Sequence, residues 1–269
     1  NVSGDTNLHN TTITGDSHVT NNQTVDGSST VKGDSNVGGN ENVSGTTTTK
    51  ELHVTDSSTI DKNQTVKGDQ TVSGTTTTKE LHVTDSSTID KNLTVKGDSS
   101  TTGNQTVGGN STVNGNSETK GNSTTDGSST VKGDQTVGGT TNTTNLNVSG
   151  DTNLHNTTIT GDSHVTNNQT VDGSSTVKGD STVGGNETVA GTTTTKELHV
   201  TDSATVDGNT TIGGDTNIAG DTNITKNLTV SGNTETKRNS TTDGSSTVKG
   251  DSNVGGNETV AGTTTTKEL

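Results

Sequence analysis

The sequence predicts an all-β fold, an elongated triangular β-helix or β-solenoid of six-residue repeats. Three observations predict it. Aliphatic residues recur at a step of six, each sits among β-branched neighbours, and a Gly beside Asp or Asn follows two positions later. The unit reads as in Ser29-Thr30-Val31-Lys32-Gly33-Asp34. Self-similarity at a fixed short period marks a stacked architecture.

Each part of the unit has a physical reason. The Thr-Val stretch is stiff at χ1 and suits an extended chain. Gly after it is expected to supply a positive-φ corner, with Asp or Asn tolerating the bend. Asn21, Asn167, Asp56, Asp85 and Asp202 stand in that Gly position and can also reach the left-handed region. Lys62, Lys91, Lys226 and Arg238 stand there too, and turn chemistry does not explain them. No helical period is written anywhere, and Gly, Thr, Asn and Asp are poor helix formers.

Composition alone points the other way. The chain has 269 residues, only 17% of them hydrophobic, with 36 Gly and no Phe, Trp, Tyr, Pro, Cys or Met. Acidic residues outnumber basic ones 31 to 16, for a formal charge of −15. Such a chain reads as disordered until its spacing is seen. The same numbers exclude function classes. There is no aromatic pocket wall, no thiol chemistry and no apolar run long enough for membrane insertion. The acidity argues against a nucleic-acid partner, and no base-stacking residue exists.

The inward column is read as Val19, Val25, Val31, Val37, Val43, Val54, Val66, Val72, Val171, Val177 and Val230, with Ile and Leu at equivalent steps. Thr takes the inward place at Thr101, Thr119, Thr125, Thr236 and Thr242, where layers should be weaker or hydrated. The step shortens by one at slips near 8–13, 43–54, 72–83, 137–148, 154–159 and 189–200. Four slips carry an extra Leu two residues before the Val, namely Leu52, Leu81, Leu146 and Leu198. Two residues apart in a strand means the same face, so shortened corners coincide with larger inward side chains.

Longer duplications overlie the period. Residues 1–32 recur at 147–178, and 50–62 recur at 79–91. One repetitive shaft is read over 1–269, as a window on a longer chain. The residue two before each Val is often bulky and polar, as at Gln23, Gln64, Gln70, Gln105, Gln169, Glu187 and Glu258. These are read as corner or inter-chain positions, which favours an intertwined homotrimer over a single-chain solenoid. A single chain would make about 15 turns over about 70 Å, and an interleaved trimer would reach roughly 215 Å.

Units such as Asn92-Leu93-Thr94-Val95-Lys96-Gly97, together with Gly45-Thr46-Thr47-Thr48-Thr49, resemble the tail-fibre shafts of tailed bacteriophages. Val183-Gly184-Gly185-Asn186-Glu187-Thr188 resembles, more weakly, the β-helical spikes of phage baseplates and type VI secretion tips. Spike repeats run in eights, and this chain runs in sixes. The resemblance implies a homotrimeric structural shaft on the virion, spacing a receptor-binding tip from the particle. Its partners would be itself and other virion or baseplate proteins. The alternative is the stalk of a bacterial adhesin at the cell surface.

Site chemistry is sparse. The His residues lie outward in the strand pattern, as His53 does between Leu52 and Val54. Gly-Asp corners lack the period of calcium-binding nonapeptides, and Gly108-Gly109-Asn110 lacks the Lys of a phosphate loop. Carboxylates are spread along corners rather than paired. The expectation is therefore a non-enzymatic protein with no catalytic residues, no cofactor and no metal site.

Overall fold

A computed structural model describes residues 1–268. By its contacts the chain divides into two compact units, Asn1–Gly139 and Thr140–Leu269, where the repeat alone marks no boundary. Each unit is a parallel β-solenoid. All 35 strands among the described residues are parallel to their partners, and most are three residues long, such as Gln23–Val25 and Gln70–Val72. Three strands and three corners make one coil, so a residue pairs with another 18 positions on, as in Thr11↔Ser29 and Leu93↔Ser111. One chain closes its own ladder in this way. This is the single-chain arrangement that the period also allowed.

Every Val of the inward column, from Val19 to Val230, is between 0 and 3% exposed. The strand pattern shows why so few aliphatic residues suffice. Successive side chains alternate faces, so a three-residue strand sends its first and third residues inward. Gln23 and Val25 both lie inside, and Thr24 between them does not. Each coil thus has a second inward position per face, filled by Ser, Thr, Gln, Leu, Ala or Glu. This corrects the placing of Gln23, Gln64, Gln70, Gln105, Gln169 and Glu187 at corners or between chains. All six are buried in the interior of their own unit, and Glu258 is half-buried at the last coils. The inward Thr residues, from Thr101 to Thr242, are buried as well.

The corner account also changes. No described residue, Gly or otherwise, has positive φ. Gly is selected here by stacking. A Cβ on Gly184 would lie 2.0 Å from the Thr166 carbonyl oxygen one coil earlier. One on Gly115 would lie 2.1 Å from Asp98 Oδ1 and 2.8 Å from the Gly97 carbonyl carbon. Rungs at about 4.8 Å leave no room for a side chain pointing along the axis. Where Lys91, Asp56 or Asp202 replaces Gly, the amide still bonds the coil beneath, but at 3.3–3.4 Å. The Gly115 to Gly97 bond is 2.9 Å. The non-Gly corners therefore meet a spacing problem, not a φ problem.

Asp and Asn beside the Gly act as ladder acceptors. Asn22 Oδ1 accepts from the Asn40 amide at 2.9 Å, and Asn40 Oδ1 accepts from the Ser57 amide at 3.1 Å. Corner N–H groups that the strands cannot reach are thus satisfied one coil later, as backbone donors require.

Three of the slips are built by Thr. In Thr47–Val54 the pairing shifts register after Val31, and Thr49 Oγ1 donates to the Glu51 carbonyl at 2.8 Å and the Gly33 carbonyl at 3.1 Å. Thr78 and Thr195 make the same pair of contacts in Thr76–Val83 and Thr193–Val200. The coil then closes in 17 residues, as in Glu41↔Ser58. The extra Leu side chains point inward. Leu52 stacks over Ser35 and Leu198 over Ser181, a large residue over a small one.

Candidate functional site

The unusual chemistry lies inside. Glu41 is wholly buried between Gln23 on the preceding coil and Ser58 on the following one. Burial pushes its carboxyl up to about 7, against the opposing pull of the Ser58 hydroxyl, which donates to Oε2 at 3.2 Å. Glu187 is the equivalent residue of the second unit, between Gln169 and Ala204. Burial raises it to about 7 as well, and Gln169 Nε2 donates to Oε1 at 3.4 Å. A carboxyl without a countercharge is stable in such a place chiefly as the neutral acid. Neither reaches a surface where a substrate could meet it. The sequence signal is present, since Glu187 occupies the same step as Gln23, but the sequence alone assigns that step to corners or to contacts between chains.

The outward faces hold dispersed groups. All seven His are exposed, and no cluster of three or more His, Cys, Asp or Glu able to hold a metal occurs among the described residues. A surface hollow of about 290 Å³ in the first unit is lined by Asn63, Thr65, Glu80, His82, Asp98 and others. One of about 320 Å³ in the second unit is lined by Asp151, Asn153, Asn168, Asn186 and threonines. In the latter, Asn168 Nδ2 donates to Asp151 Oδ1 at 3.2 Å, so part of its polarity is spent on the ladder. The ion pairs at the slips, Lys50–Asp34 and Lys196–Asp180 at 3.3 Å, are exposed and contribute little.

The inward Val residues form no binding site; they line the packed interior. In the second unit the interior leaves a cavity of about 10 Å³ beside Ala204, Ile212 and Ile218, about one water in size. What the arrangement offers chemically is regular spacing and a continuous backbone ladder. No described protein family, curated protein or solved structure matches this chain.

Proposed function

We propose that this chain is a structural shaft segment of a phage tail fibre or similar virion appendage, holding a receptor-binding tip away from the particle and catalysing nothing. The supporting observation is the unbroken coil-on-coil ladder within each unit, in which side chains, corners and slips all serve stacking. Load along such a stack falls on many parallel backbone hydrogen bonds at once. The hydrophilic outer faces suit an extended element that touches solvent along its length.

The intertwined homotrimer expected from the sequence is the competing arrangement of such a shaft. It would exchange the intra-chain partners for the same residues of two other chains, and a solution mass of three chains would establish it. The function is tested by antibodies against the 269-residue chain. Labelling of virion tail appendages supports the shaft. Labelling of a bacterial surface moves the assignment to an adhesin stalk, and labelling of neither overturns both.

A further inference from the structure

In one stretch of each unit the interior loses its aliphatic column. Ser117, Thr119, Ser123, Thr125 and Ser129 point inward in succession before Val131. Thr234, Thr236, Ser240, Thr242 and Ser246 do the same before Val248. The two runs are copies, since residues 116–134 recur at 233–251 with two changes, Thr234 for Ser117 and Arg238 for Gly121. The first run belongs to Asn1–Gly139 and the second to Thr140–Leu269.

The stacking register shows what the interior lacks there. On the preceding coil Thr119 meets Thr101, Ser123 meets Gln105 and Thr125 meets Val107, so that only Val131 on Val113 sets aliphatic on aliphatic. In the second run Thr236 covers Ile218, Thr242 covers Ile224 and Ser246 covers Leu228, and only Val248 on Val230 is matched. By contrast, Val165, Val171 and Val177 sit on Val148, Leu154 and Ile159. Thr has nearly the shape of Val, but its hydroxyl turns an apolar contact into a mixed one. Ser is also too small to fill the space. Ser117, Ser123 and Ser129 are 7–8% exposed, against 0–2% for the inward Ser35, Ser58 and Ser87.

The corners of the same coil are intact. Asn104, Asn110 and Asn116 Oδ1 accept from the amides of Asn122, Ser128 and Asp134 at 2.9 Å. The amides of Gly121, Gly127 and Gly133 bond the carbonyls of Gly103, Gly109 and Gly115 at 3.0–3.2 Å. In a stacked array, stability is a sum of each repeat's own term and its nearest-neighbour terms, and the layer with the weakest terms opens first. We propose that each hydroxyl-lined run is a compliant joint, the coil at which its unit opens and bends first, while the corner ladder keeps the strands in register. The missing contribution is apolar burial between coils, and the hydrogen bonds that remain run along the outer corners. The joint is a property of the coil stack, so it holds equally for a shaft on a virion and for a stalk on a cell.

The test is hydrogen exchange of the 269-residue chain at fixed pH, followed by mass spectrometry. The amides of 117–131 are expected to exchange at least about tenfold faster than those of 163–177. Thr119→Val/Thr125→Val supplies the missing methyls at a step that Val fills in other coils, and should slow exchange in 117–131 by about tenfold. Thr124→Val, on the outer face of the same strand, should leave the rate unchanged. The pair Thr236→Val/Thr242→Val should act on 234–248 as the first pair acts on 117–131. Protection of 117–131 equal to that of 163–177 overturns the proposal. So does an inward pair that slows nothing, or a Thr124→Val variant that slows exchange as much as the inward pair.

Discussion

Replacing the two buried carboxyls by amides should remove a pH dependence that the rest of the chain does not share. Glu41 and Glu187 rise from 4.5 to about 7 on burial. The folded state therefore holds their protons more tightly than the unfolded chain does. The stability they permit is fully present below pH 4.5 and is lost as pH rises through about 7. At about 1.4 kcal/mol per pKa unit, the loss approaches roughly 3 kcal/mol per site. Gln fits the position, because Gln23 and Gln70 occupy the same step in other coils. Urea unfolding of wild type, Glu41→Gln, Glu187→Gln and the double variant should be followed by circular dichroism at several pH values. Exposed carboxylates contribute equally to all four chains, so the difference between them isolates the buried groups. It should be small near pH 4.5 and grow to about 3 kcal/mol per site by about pH 8, with the variants more stable. Parallel pH profiles for all four chains would refute the burial of these side chains.

Three further outcomes follow from the packing. Val66→Asp should cost about 3–5 kcal/mol, since it leaves an unpaired buried charge at a 0% exposed position, whereas Lys67→Asp on the outer face should stay within about 0.5, both read from urea midpoints. Gly115→Ala should cost about 1–3 kcal/mol by prying two rungs apart, while Gly15→Ala, with nothing within 4 Å of the new Cβ, should stabilise by about 0.4–1 kcal/mol; equal melting shifts for the two would contradict the stacking role of Gly. Gln70→Leu should stabilise by about 1–3 kcal/mol, because both amide atoms of Gln70 are buried without a partner and Leu93 and Leu228 already fill that step elsewhere; a loss of stability on calorimetry would place Gln70 in a bonded network instead.

The step of six, the strand character and the inward Val column could be read from the sequence because all three are local and chemically distinct. The slips were visible as five-residue steps, and the extra inward Leu at four of them followed from strand alternation. What was missed depends on neighbours 17 or 18 residues away. Gly115 looks like a turn residue until the Gly97 carbonyl beneath it is in place. Asn22 looks like a corner former until its Oδ1 meets the Asn40 amide. Thr49 is the last of four consecutive Thr, and only the stacked Gly33 carbonyl shows why the fourth one fixes the slip. The step two before each Val stands out in the sequence, but that Gln23 and Glu187 are buried inside their own chain, and not at corners or between chains, depends on the coils stacked on either side. The same holds for the candidate site, since Glu41 and Glu187 are chemically unusual only once their burial is known.

One chain stacks on itself coil by coil. The absence of Cys allows clean spin-labelling. Thr88 and Thr106 face outward as direct partners on adjacent coils, with backbones about 4.8 Å apart. Nitroxides on Thr88→Cys/Thr106→Cys should show strong dipolar broadening that survives dilution with unlabelled chain, while either single label should show none. A doubly labelled chain without broadening, or broadening that vanishes on dilution, would contradict the self-stacked solenoid.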